Sequence, residues 1–142
     1  MVAHVPRAVA AALLFPANAA ACMLAGPIPA TVERVVDGDT IRMRATIWID
    51  QAIEVSVRLA GVDAPELFRP KCAAERAKAV AAKAFVEDFL ASGAANLSDV
   101  RHDKYAGRVI ARVDASGVDL SAALLAAGLA ASHDDFEWCL TG

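Results

Sequence analysis

Five side chains in this sequence have the types that hydrolysis at phosphorus uses: Asp39, Arg58, Asp63, Glu66 and Arg108. Asp39 sits in an Asp37-Gly38-Asp39-Thr40 turn, and Asp63 in a Gly61–Glu66 loop. Two carboxylates beside strand ends offer the hard oxygen donors that a cation such as Ca²⁺ takes. Glu66 follows Asp63 across Pro65, where it can orient or deprotonate a water. Arg58 and Arg108 supply planar guanidinium forks that match phosphate oxygens and charge developing on them. Singly, each has an ordinary explanation. Asp and Gly are common turn residues, Arg58 shares a strand face with Glu54, and Arg108 is close enough to Asp103 to pair with it. The combination, all at strand ends or turns, points to a site.

The elements that must position these groups are legible from periodicity. Thr31–Val36 alternates as a strand and is broken by the Asp-Gly-Asp turn. Ile41–Ile49 alternates Ile41, Met43 and Ala45 against Arg42, Arg44 and Thr46. In Ile53–Leu59, Val55, Val57 and Leu59 share one face, and Glu54, Ser56 and Arg58 the other. Helix signals run from Ala73 to Leu90, with Ala77, Ala81, Phe85 and Phe89 as the expected apolar stripe and Val80 and Ala84 beside it. Strands are expected near Ala95–Val100 and Arg108–Val113. A last helix, capped by Asp119 or Ser121, runs through Leu124, Leu125 and Leu129, with Gly128 near its end. Three strands, a helix, two strands and a helix suit an α+β chain built on a five-stranded, OB-type Greek-key barrel. A mixed α+β sandwich is the second architecture compatible with that order.

Three segments then carry a resemblance. Val36-Asp37-Gly38-Asp39-Thr40, Arg58-Leu59-Ala60-Gly61-Val62-Asp63-Ala64-Pro65-Glu66 and Asp103-Lys104-Tyr105-Ala106-Gly107-Arg108 resemble, in order and spacing, the signature segments of staphylococcal-nuclease-like domains. Ala126–Ala130 is similar to that family's last helix, and the resemblance spans Thr31 to Ala131. It implies a Ca²⁺-dependent hydrolase of DNA or RNA, with the ion held by Asp39, Asp63 and the carbonyl of Ala64. It also implies Glu66 as base or water-orienting group, Arg58 and Arg108 on the scissile phosphate, and Lys104 and Tyr105 at the nucleotide's terminal phosphate. Three positions depart from the best-known member. Ala64 replaces a threonine, Ala106 is an extra residue before Gly107-Arg108, and Ser132-His133-Asp134 stands where a nucleotide-stacking tyrosine is found.

At 142 residues the chain holds one domain, and an apolar content of 57% argues against disorder. Residues 1–21 read as an export signal: Arg7, the apolar run Ala8–Phe15, then Ala17-Asn18-Ala19 as a small-x-small cleavage site. A lead-in covers 22–30, the domain 31–131 and a polar tail 132–142. A secreted or periplasmic location follows, and with it an oxidising compartment. Three cysteines then leave one disulfide and one thiol with another fate. Ala19-Ala20-Ala21-Cys22 resembles a lipoprotein cleavage site, and lipid on Cys22 would leave Cys72 and Cys139 to pair.

Charge runs against bulk electrostatic binding of nucleic acid. The net charge is −3, and the part after residue 21 has 13 bases against 17 acids. Binding has to rest on a few placed arginines and a cation. The reading is a monomeric, calcium-dependent nuclease of low sequence specificity. A non-catalytic OB-type binding module and a calcium-stabilised envelope domain are the alternatives, and Glu66 favours the enzyme because neither alternative needs a base.

Overall fold

The computed structural model describes residues 22–132 and 136–139. The expected export signal, residues 1–21, lies outside them, as do His133 and Asp134. Strand β1 (Ile28–Val35) pairs antiparallel with β2 (Thr40–Trp48), and β2 with β3 (Gln51–Leu59). Helix α1 (Ala73–Phe89) leads to β4 (Ala94–His102), which pairs with both β1 and β5 (Arg108–Ala115). A parallel ladder between β3 and β5, from Ser56↔Arg108 to Leu59↔Ala111, closes the barrel. A two-residue strand β6 (Val118–Asp119) and helix α2 (Leu120–Ala126) complete the described chain. The five-stranded barrel is the expected OB-type fold; the sandwich is not formed.

The barrel interior is the inward face of the alternating strands. Ile41, Met43 and Ala45 from β2, Val57 and Leu59 from β3, Leu97 from β4, and Ala111 and Val113 from β5 form one buried cluster. Three boundaries differ from the sequence reading. Residues 28–30 belong to β1 rather than to the lead-in, since Ile28, Pro29 and Ala30 pair with Leu97, Asn96 and Ala95 of β4. A register shift between Val32 and Arg34 interrupts the alternation of β1, so Val35 rather than Val36 is fully buried. The last helix ends at Ala126, so Ala127–Ala130 forms an irregular turn around Gly128.

The helix face is also different. Ala77, Val80, Ala81 and Ala84 are exposed and Phe85 and Phe89 half-buried, whereas Glu75, Ala79, Ala82 and Val86 are buried. An alanine-rich helix has little hydrophobic direction of its own, so tertiary fit selects the face. Close approach decides it: a Cβ on Gly38 would lie 2.8 Å from the Cβ atoms of both Ala64 and Ala82. Small residues are thus needed where α1 meets the Asp-Gly-Asp turn. Of the two candidate caps of α2, Asp119 is the one, accepting from the Ala122 N–H at 2.8 Å. Ser121 instead donates its hydroxyl to the Ala60 carbonyl at 3.0 Å.

Candidate active site

The site lies at the barrel end where β1 turns into β2 and β3 runs out. The Asp39 amide donates to Asp37 Oδ1 at 3.1 Å, and the Val36 amide to the Thr40 carbonyl at 2.9 Å, which closes the turn. The Leu59 amide donates to the Asp39 carbonyl at 2.8 Å, holding the turn against the end of β3. From there the chain crosses to Asp63, whose amide and carbonyl both bond Ala131 at 2.8 Å. Two loops remote in sequence are so locked to the same barrel rim.

Arg58 joins them. Its Nη1 lies 3.0 Å from Asp39 Oδ1 and its Nη2 2.9 Å from Asp63 Oδ1. Glu54, the ordinary partner expected from the strand face, instead pairs with Arg42 at 3.2 Å. Asp39 is 5% exposed, and Thr40 Oγ1 donates to its Oδ1 at 3.0 Å and the Ala64 amide to its Oδ2 at 2.9 Å. So Ala64 meets Asp39 through its N–H. Glu66 is exposed on the adjoining loop, and its Oε1 accepts the Phe68 and Arg69 amides at 3.0 and 3.4 Å.

Arg108 opens β5, and the extra Ala106 is absorbed in the turn before it. The Arg108 amide reaches back to the Tyr105 carbonyl at 3.3 Å, and Gly107 takes a φ of +77° there. The Arg108 Nε donates to Asp103 Oδ2, and its guanidinium stacks 4.7 Å from the Tyr105 ring centre. Partial burial works to raise the Asp103 carboxyl, but the Arg108 hydrogen bond, the Lys104 amide and the nearby arginine charges hold it below the ordinary carboxylate range. The ordinary pairing of Arg108 is therefore real, and it also fixes the arginine at the site.

Two cavities meet along Arg58 and Arg108. The smaller, about 160 Å³, is lined by Asp37, Asp39, Asp63, Ala64 and Glu66 with those arginines. The larger, about 630 Å³, is lined by Arg101, Lys104, Tyr105 and Ser132 with the same pair. Lys104 Nζ lies 5.2 Å from the Tyr105 ring centre. All the sequence-predicted polar residues are therefore brought to one end of the barrel. Cys72 and Cys139 are joined by a disulfide across 67 residues and stand apart from the chemistry. Cys72 also caps α1, its sulfur accepting from the Glu75 amide at 3.4 Å.

Sequence reasoning missed three groups. Asp37 was read only as a turn residue, yet it lines the small cavity, and burial together with the Asp39 charge pushes its carboxyl up to about 6. Glu75, 5% exposed in the first turn of α1, accepts the amides of Glu66 at 3.2 Å and Lys71 at 2.6 Å. Its position three residues after a cap was the available signal. Arg101 lines the large cavity, and only its spacing from Asp103 could have suggested it.

The donor chemistry fits a hard cation. Asp39 and Asp63 converge within one guanidinium's reach, and their carboxylate oxygens are the hard donors such an ion takes. Among the described residues, however, no group of three or more acidic, His or Cys side chains is gathered at metal-binding distance. Two carboxylates, a carbonyl and waters are then the set on offer. No curated protein matches the chain. The model of the staphylococcal nuclease homologue family matches residues 56–138, which takes in Arg58, Asp63, Glu66 and Arg108 and begins after the Asp39 turn. With more than half of its length matched, the chain belongs to the staphylococcal nuclease homologue family.

Proposed function

We propose that the protein is a calcium-dependent nuclease that hydrolyses phosphodiester bonds of DNA and/or RNA with little sequence specificity. The observation that carries this reading is the shared cavity wall: Arg58 and Arg108 stand between the carboxylate cluster and a basic, aromatic-lined groove. A phosphodiester lying across the wall meets both guanidiniums at its nonbridging oxygens. Lys104 and Tyr105 contact the neighbouring phosphate and nucleotide from the groove side.

Glu66 faces the same small cavity and accepts the proton of a water as its oxygen attacks phosphorus. One ester P–O bond breaks, and the departing alkoxide takes a proton from solvent. Arg58 and Arg108 stabilise charge that grows on the phosphoryl oxygens, which is where fixed donors act most strongly. Asp39, Asp63 and the Ala64 carbonyl are the residues to hold Ca²⁺, which supplies Lewis-acid stabilisation of the phosphate when bound. We infer export as part of this reading: residues 1–21 have the pattern of an export signal, and an extracytoplasmic compartment is one in which Ca²⁺ is abundant and a disulfide is stable.

A second reading has one observation in its favour. Arg58 already neutralises Asp39 and Asp63 by direct pairing, as it would in a non-catalytic module that kept the fold. Digestion of plasmid and RNA in Ca²⁺, in Mg²⁺ and in chelator separates the two. The nuclease reading expects strong digestion with Ca²⁺ alone, lost in Glu66→Gln. Absence of digestion by folded protein in saturating Ca²⁺ would leave the binding module.

A further inference from the structure

Glu66 heads an exposed loop that leads from the site to helix α1. Upstream, the Ala64 amide on Asp39 and the buried Pro65 fix the chain to the barrel rim. Beyond Pro65 the ties change. The Phe68 and Arg69 amides turn back to Glu66 Oε1, so they hold the loop to itself and not to the barrel. A buried carboxylate attaches it to α1. Glu75 Oε1 accepts the Glu66 amide at 3.2 Å and Oε2 the Lys71 amide at 2.6 Å, which pins both ends of residues 66–71 to the helix's first turn.

Glu75 is in turn set by Cys72. The Cys72 sulfur caps α1 by accepting the Glu75 amide at 3.4 Å, and the same sulfur is bonded to Cys139. Sulfur is a weak acceptor, and a free thiol in that position can turn to another staggered rotamer. The bridge removes that freedom. Cys139 lies near the end of a tail that leaves the site at Ala131, whose amide and carbonyl both bond Asp63, and Ser132 of that tail lines the large cavity. One covalent bond therefore links the Asp63 loop, by way of the tail, to the base of the Glu66 loop. Neither cysteine lines either cavity or belongs to the barrel core. The bridge can act on the chemistry only through position.

We propose that the Cys72–Cys139 disulfide is a redox switch on the active site: oxidised, it holds Glu66 in place through Glu75; reduced, it frees the 66–71 loop and lowers turnover while the barrel stays folded. The inference rests on the nuclease reading of the site. Switching on is a thiol–disulfide exchange. The two thiols lose two protons and two electrons to an external disulfide, which is reduced to two thiols as the Cys72–Cys139 S–S bond forms. The barrel survives the reverse step because the parallel ladder from β3 to β5 closes it without the bridge. An enzyme switched in this way is slow in a reducing compartment and reaches full rate in an oxidising one.

The test uses the full chain carrying Cys22→Ser, which removes an exposed free thiol able to exchange with the bridge. The protein is oxidised with glutathione disulfide or reduced with a phosphine, well below the melting temperature of either form. Plasmid digestion in saturating Ca²⁺ gives kcat and KM, and heteronuclear ¹H–¹⁵N NOEs report fast motion of backbone amides. On reduction, kcat should fall several-fold with KM little changed, and the NOEs of Glu66 and Lys71 should drop while those of β2 and β3 hold. Reoxidation should reverse both effects. Cys72→Ser/Cys139→Ser should match the reduced form in either buffer, and in Glu75→Gln reduction should change kcat much less, because the link is already cut. An active enzyme in which either kcat or the loop NOEs ignore reduction overturns the switch. So do NOEs that fall throughout the barrel, which would make the bridge a brace for the whole fold. Oxidised protein that digests nothing overturns the nuclease reading and the switch with it, a result distinct from active enzyme that ignores its redox state.

Discussion

Arg58 and Asp39 are held 3.0 Å apart by elements that meet only in the folded barrel, the end of β3 and the turn before β2, with Asp63 on the same guanidinium. The pairing makes one residue both a phosphate ligand in the proposed reaction and the counter-charge of the two aspartates. Arg58→Ala should lower turnover by about 10²–10³. In chelator it should also cost about 2–3 kcal/mol, since it leaves a buried carboxylate without its charged donor. Calcium should restore much of that loss. Melts in Ca²⁺ and in chelator check this, and equal destabilisation in both would remove the shared role.

Arg108 is fixed by Asp103 and stacked on Tyr105, so its fork is already oriented. Arg108→Lys should be nearly as damaging to kcat as Arg108→Ala, about 10²–10³ in each, because both lose bidentate recognition. Steady-state kinetics at saturating Ca²⁺ decide this. Near-wild-type turnover in the lysine variant would leave a point charge as all that the site needs.

Glu75 holds the loop that carries Glu66 through the Glu66 and Lys71 amides. Glu75→Gln keeps one carbonyl acceptor and turns a donor toward an amide. It should cost about 1–3 kcal/mol in stability. It should also lower kcat more than it raises KM, because the arginines are untouched. A stability loss with unchanged kcat would make Glu75 structural only.

Asp37 introduces a pH dependence in the calcium-free protein. Its folded carboxyl is raised to about 6 from 3.8, by burial first and then by Asp39. A raised value means that the folded state favours the protonated form. That stabilisation is whole below about 3.8 and is lost as pH rises through about 6. Asp37→Asn retains the oxygen that accepts the Asp39 amide. In chelator at neutral pH it should therefore be more stable than wild type, by on the order of 1–2 kcal/mol, with the gap closing toward pH 4. Melts across that range test it, and a gap that widens on acidification would show the sign to be wrong.

The Cys72–Cys139 bridge ties the cap of α1 to the tail bearing Phe136 and Trp138, whose rings lie 4.4 Å apart. Replacing both cysteines by serine should lower stability by about 2–4 kcal/mol, given the length of chain enclosed. Reduction of the wild type should lower the melting temperature to a similar degree. A double variant that melts with the wild type would show the tail to be held without it.

Element order, the interior faces of β2 and β3, a capped last helix (with Asp119 and Ser121 both open as the cap) and the three site segments were legible in the sequence. Each depends on neighbours two to four residues away, where alternation, turn chemistry and capping operate. The Asp39, Asp63 and Arg58 residue types could likewise be picked out in sequence, but not their mutual contacts. The pairing of Arg58 with Asp39 and Asp63, in place of Glu54, depends on how two loops close over the barrel rim. The interruption of β1 between Val32 and Arg34, the choice of Ala79, Ala82 and Val86 as the inner face of α1, and the burial of Glu75 beneath the Glu66 loop were likewise decided in three dimensions. An alanine-rich helix and a strand with one extra residue carry too little local asymmetry to choose a face. Close packing against Gly38 and Ala64, and backbone amides that need acceptors once buried, made the choice.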